Sequence, residues 1–140
     1  MTPRVVYDTN VVVSALLKEN SDPALLVRLV LNESVLPCLS RFVLDEYEEV
    51  LKRPKFSFDP NLVDQFLRDF CKRALMVAPK RRIHAALDEA DNRFLECARS
   101  ARAKYLVTGN RKHFPFTVFF CKTQIVSPAE LVGILTERPY

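Results

Sequence analysis

The constraint that most narrows what this chain can become is an alternation. Short β-prone runs recur between longer stretches with helical apolar spacing, and capping residues or prolines mark the joins. Val5-Val6-Tyr7 is the first run and ends in Asp8. Val11 to Leu17 reads as a helix, with Asn10 near its start. Asp22-Pro23 reads as a cap followed by proline at the first helical position. It opens a helix to about Leu31, with Leu25, Leu26, Leu29 and Val30 on one face. Ser34 to Leu39 reads as a strand. Ser40 caps a helix from Arg41 to about Arg53, which Pro54 stops. Asp59-Pro60 repeats the cap-then-proline signal, and Leu62, Val63, Phe66, Leu67, Phe70 and Ala74 trace one apolar face. Met76 to Ala78 reads as a strand and Asp88 to Ala103 as a helix. Tyr105 to Thr108 and Gln124 to Val126 read as strands, and Ser127-Pro128 opens a last helix to about Leu135.

Strands alternating with helices predict a three-layer α/β/α sandwich around a central, mainly parallel sheet of about five strands. The chain has 140 residues, which fits one domain spanning 1–140. No linker, repeat or low-complexity segment divides it.

Glycine scarcity excludes two function classes. Gly109 and Gly133 are the only two glycines, and a P-loop or a dinucleotide fingerprint needs several in close spacing. Cys38, Cys71, Cys97 and Cys121 lie 33, 26 and 24 residues apart, so no CxxC motif exists for a zinc ribbon or a redox pair. They read as buried reduced thiols. No apolar run approaches the ~18 residues a membrane span needs. The N-terminal segment has no basic region leading into an apolar stretch, and Asp8 interrupts it at once. The expectation is an intracellular, cytoplasmic chain with no membrane role. The net charge of +4 permits a polyanionic partner without requiring one.

In open parallel α/β sheets, ligands bind beyond the carboxyl ends of the strands. Asp8-Thr9-Asn10 follows the first run, and Thr108-Gly109-Asn110 follows Leu106-Val107, so the two meet if those strands pair. Asp8 reads either as a helix cap or as an acid in a metal or phosphate site. Glu48 and Glu49 face Lys52 and Arg53 at i+4, as solvated helix surface does. Glu46 has Val43 behind it and Val50 ahead, at the edge of the stripe formed by Val43, Tyr47, Val50 and Leu51. A carboxylate there needs a compensator, either a hydrogen bond or a metal. Asp88 and Asp91 fit the cap and third position of a helix, yet Asp91 also shares the inward face with Phe94, Leu95 and Ala98. Converging carboxylates repel, and a hard divalent cation between them relieves the repulsion. Such a site supports phosphoryl transfer by a metal-activated water.

At these residues the sequence resembles the PIN-domain family, in particular the toxin branch of bacterial toxin–antitoxin systems related to VapC-type toxins. The matching strings are Val6-Tyr7-Asp8-Thr9-Asn10-Val11, Leu44-Asp45-Glu46-Tyr47 with Leu51-Lys52-Arg53-Pro54-Lys55-Phe56, the run from Asp88 to Ala98, and Leu106-Val107-Thr108-Gly109-Asn110. They occur in the family's order and span nearly the whole chain. The resemblance implies a PIN fold and a Mg²⁺- or Mn²⁺-dependent endoribonuclease. Asp8, Glu46 and Asp91 would be its metal-site and catalytic acids, and Asp88 an auxiliary acid. Thr9 or Asn10 would orient Asp8 by hydrogen bonding. It further implies a homodimer and a cognate antitoxin.

The family often carries a fourth acid after the strand that ends in Thr108. Here the loop reads Thr108-Gly109-Asn110-Arg111-Lys112-His113-Phe114, without an acid. Asn110 or His113 stands in that region. The departure leaves open a catalytically degenerate RNA-binding module. Lys80-Arg81-Arg82 and Arg111-Lys112 are basic loop runs that can hold an RNA backbone, and Arg99, Arg102 and Lys104 form a third cluster. Single-stranded RNA suits an acidic crevice rimmed by such cations. The chain has no Trp and no aromatic motif for base stacking.

Overall fold

The computed structural model describes residues 2–86, 88–114 and 119–136. Six strands form one sheet: β1 (Arg4–Tyr7), β2 (Leu36–Leu39), β3 (Leu75–Met76), β4 (Tyr105–Val107), β5 (Phe119–Phe120) and β6 (Thr123–Val126), in the order β3-β2-β1-β4-β6-β5. Every pairing is parallel except β5 with β6. Among the described residues, six α-helices complete the fold: α1 (Thr9–Leu17), α2 (Asp22–Leu31), α3 (Arg41–Leu51), α4 (Pro60–Lys72), α5 (Glu89–Ala101) and α6 (Pro128–Thr136). The architecture is the expected three-layer α/β/α sandwich. The additional strand is β5, a two-residue hairpin partner whose Phe119-Phe120 carries no alternation long enough to read.

The order reverses at β1. The chain steps outward from β1 to β2 to β3, then crosses back to β4 on the other side of β1. Right-handed crossovers therefore put α1 to α4 on one face and α5 on the other. The reversal opens a crevice at the carboxyl ends of β1 and β4, where Asp8 and Thr108 emerge. Val5, Val6 and Tyr7 are fully buried, as a central parallel strand covered on both faces requires.

The end of β1 is clamped from three directions. The Tyr7 hydroxyl donates to the Leu26 carbonyl at 2.8 Å. The Tyr47 hydroxyl, from α3, donates to the Tyr7 carbonyl. Phe70 of α4 meets both rings edge-on, with centroids 5.8 and 6.0 Å away. Asp8 thus follows a strand end whose position is fixed by buried polar and aromatic contacts.

Capping bears out one of the two readings of Asp8 and departs from expectation at α2. Asp8 itself caps α1, accepting from the Thr9 amide at 2.8 Å, while Asn10 lies inside the helix. Ser21, not Asp22, caps α2. The third strand sits one residue earlier than expected and is shorter, ending at Met76, with the Val77 amide donating to the Leu39 carbonyl at 2.8 Å. The thiols are all free, but only Cys38 and Cys97 are fully buried; Cys121 is exposed in a turn with φ 53°. Among the described residues, no helix is long and apolar enough to cross a membrane.

Candidate active site

Asp8, Glu46, Asp88 and Asp91 line one cleft of about 370 Å³. Three neighbourhoods supply them: the end of β1, the middle of α3, and the first turn of α5. Asp8 is 5% exposed and Asp91 6%, so both carboxylates are largely withdrawn from water. Asp88 stands exposed at the cleft's rim. It caps α5 by accepting from the Ala90 amide at 2.9 Å, so capping and lining are compatible roles.

Asp8 is held on all sides. Its Oδ1 accepts from the Thr9 amide, and its Oδ2 accepts from the Thr108 hydroxyl at 2.7 Å and from Asn10 Nδ2 at 3.4 Å. Asn10 also accepts from the Gly109 amide at 3.0 Å through its Oδ1. A side chain at residue 109 would press on that oxygen, since a Cβ there would lie 3.3 Å from it. Glu46 finds its compensator in Thr9, whose hydroxyl donates to Oε2 at 2.9 Å. Thr9 therefore orients Glu46 with its hydroxyl and Asp8 with its amide.

Asp91 is the acid left least satisfied. Its Oδ2 is buried and accepts no hydrogen bond. The imidazole Nδ1 of His113 lies 3.0 Å from it. His113 Nε2 is in turn 2.9 Å from Asn110 Nδ2, so the pair expected near the missing acid forms a short relay toward Asp91.

Electrostatics follow from this crowding. Burial raises the pKa of Asp91 to about 7, reinforced by the charges of Asp8, Asp88 and Glu46 and opposed by His113. Burial also raises that of Asp8, although the bonds from Thr108 and Thr9 pull it down. Buried carboxylates that repel one another suit a divalent cation. Among the described residues no three His, Cys, Asp or Glu side chains converge tightly enough to cage an ion. The donor set fits Mg²⁺ or Mn²⁺ in the looser manner, with one or two carboxylates and several retained waters. Asp91 Oδ2, buried beside His113 without a hydrogen bond of its own, and buried Asp8 are the matching donors.

The cations are distributed differently from the sequence reading. Arg53 and Lys55, from the end of α3 and the 3-10 turn Pro54–Phe56, line the acidic cleft. Nothing in their spacing distinguished them from solvated surface, and Arg53 does pair with Glu49 at 3.5 Å. Arg81 and Arg82 line a separate hollow beside α3 and α5. Lys112 is exposed in the turn Arg111–His113, beside the cleft residue His113; the Arg111 side chain lies outside the described residues. Lys104 and Arg102 sit at the amino-terminal edge of the sheet, where the Lys104 amide bonds the Arg4 carbonyl. That edge is opposite the cleft, so they cannot rim it. Thr108 is the site residue the sequence reading passed over as a partner of Asp8.

Residues 4–112 match the PIN domain family, and the chain belongs to it. An uncharacterized protein of Methanocaldococcus jannaschii is 28% identical over 111 residues, covering 77% of this chain and 71% of that protein. The fold is similar to a chain of the VapBC2 structure from Rickettsia felis bound to a DNA fragment from their promoter. That match has a TM-score of 0.60 and 17% identity, and covers 89% of this chain and 98% of the other.

Proposed function

We propose that this chain is a metal-dependent endoribonuclease acting on single-stranded RNA, and the toxin of a toxin–antitoxin pair. The observation that carries the reading is the convergence of Asp8, Glu46, Asp88 and Asp91 on one cleft at the switch point of the sheet. The family and the fold likeness support it. In this reading residues 1–140 form one cytoplasmic PIN domain that pairs as a homodimer and is neutralised by its antitoxin.

Asp8 and Asp91 would hold Mg²⁺ or Mn²⁺ directly, and Glu46 would reach it through a retained water. When bound, the cation polarises the scissile phosphate and lowers the pKa of a bound water. The chain's own groups do the rest. Thr108, Thr9 and Asn10 fix the Asp8 carboxylate, and Thr9 fixes Glu46. Asn110 lies 2.9 Å from His113 Nε2, and His113 Nδ1 lies 3.0 Å from Asp91 Oδ2, so Asn110 positions the imidazole beside that acid. Arg53 and Lys55 offset the negative charge of an entering phosphodiester.

One observation favours a second reading, an RNA-binding module without hydrolysis: Asn110 stands where the family often has a fourth acid. Cleavage of labelled single-stranded RNA separates the two. Wild type is expected to cut with Mn²⁺ or Mg²⁺, to stop with chelator, and to lose activity in Asp8→Asn. A folded, metal-saturated wild type that cuts nothing moves the assignment to the binding module.

A further inference from the structure

Outside the acidic cleft, a second hollow of about 480 Å³ lies between the start of α3, the segment after β3, and α5. Its walls are basic. Arg41, Lys80, Arg81 and Arg82 line it, and Arg93 lies at its back. Arg93 is 9% exposed, and its Nε is buried with no hydrogen-bond partner. Glu96 is the sole acid among the lining residues, buried and already engaged by Arg93 at 2.9 Å and Arg82 at 3.8 Å. An exposed aromatic ring, Phe42, sits at the mouth, 43% accessible.

The basic segment is held in place. Glu96 Oε2 accepts from the Ile83 amide at 2.9 Å, and Asn92 Oδ1 accepts from the amides of Ala85 and Ala86. Arg99 donates to the Arg81 carbonyl. The cations therefore project from an anchored backbone. Arg41 pairs with exposed Asp45, at 3.2 Å, a contact that costs little to exchange.

Position connects this hollow to the cleft. β2 runs parallel beside β1, Arg4 opposite Leu36 and Val5 opposite Pro37, so the carboxyl ends that lead into Asp8 and Ser40 are neighbours. Phe42 and Glu46 lie four residues apart on one face of α3, one helical turn along its axis.

We infer that this hollow is a nucleotide subsite of the same substrate strand: Phe42 stacks a base beside the scissile position, and Arg41, Lys80, Arg81 and Arg82 hold its phosphates. A flat exposed ring amid several cations fits single-stranded nucleic acid better than an acidic peptide, which has no need of the ring. The inference rests on the RNA reading above and deepens it.

The test measures binding rather than cutting, in an Asp8→Asn background. A short fluorescein-labelled single-stranded RNA is titrated and followed by anisotropy. Phe42→Ala is expected to weaken binding on the order of tenfold, with Phe42→Tyr restoring it. Arg81→Gln with Arg82→Gln is expected to flatten the salt dependence by about 1.4 in log–log slope. Duplex RNA should not distinguish Phe42→Ala from its parent. Unchanged single-strand affinity in Phe42→Ala overturns the subsite, even where wild type cleaves RNA. The expected pattern in a chain that cuts nothing keeps the subsite and removes the nuclease. An acidic peptide that alone loses affinity in these variants overturns it in favour of a protein partner. Phe42 is exposed and off the core, so a melting curve verifies that each variant is folded.

Discussion

The Thr108 hydroxyl donates to Asp8 Oδ2 at 2.7 Å, joining residues 100 apart in sequence across the β1–β4 pair. Thr108 is fully buried, and its oxygen also accepts from the Asn110 amide at 3.0 Å. One hydroxyl thus orients the central acid and sets the start of the loop carrying Asn110 and His113.

Replacing Thr108 with Val keeps the shape and removes both bonds. The loss of a buried hydrogen bond to a carboxylate is expected to cost about 1–3 kcal/mol. The Asp8 pKa should rise further, because the donor that favours its charged form is gone. Urea unfolding reports the first effect. The second appears as an alkaline shift of the pH dependence of Mn²⁺ binding.

Stability in the absence of metal should fall as pH rises. The folded pKa of Asp91 stands at about 7 against an ordinary 3.8, so the folded chain holds a proton that the unfolded chain has released. A raised folded pKa means stability fully present below about pH 4 and progressively lost as pH rises through about 7. Asp8 shifts in the same direction and adds to the loss. With chelator present, the melting temperature is expected to drop across that window. Mn²⁺ should reverse the drop at its alkaline end, and Asp91→Asn should flatten the curve. A melting temperature that rises with pH in chelator contradicts the assigned crowding.

Asn110→Asp restores an acid to the loop, 2.9 Å from His113 in the parent arrangement. The expected result is tighter Mn²⁺ binding together with a lower melting temperature in chelator, since a further carboxylate joins a site that already repels itself. Isothermal titration and a melting curve measure the two effects. Loss of stability without tighter metal binding would mean that residue 110 does not face the cation.

Much of the fold was legible because local rules agreed with one another. Proline and cap residues punctuate the helices at Asp59-Pro60 and Ser40, and the runs at Val5-Val6-Tyr7 and Tyr105 to Val107 are apolar enough to read as central strands. Two-residue strands are not legible as such: no local pattern marks β5, and none fixes where β3 begins and ends. Residue pairs alone carry no periodicity, and partner strands define them. Ser21 displaced Asp22 as a cap for a similar reason, since either residue satisfies the local chemistry.

The sequence by itself determined which acids could be unusual. Glu46 lacked a basic residue one turn ahead, and Asp91 shared a face with Phe94 and Leu95. What it could not supply was their company. Thr9 compensates Glu46 from another element, Thr108 reaches Asp8 across the sheet, and Arg53 and Lys55 bring charge to the cleft. The tertiary structure also sets Phe42 beside the basic segment after β3. Helical and strand periodicity constrain a residue only against near neighbours. Through-space hydrogen bonds and Coulomb forces act over a few ångströms regardless of sequence distance, and only chain reversal at β1 brings those partners within range.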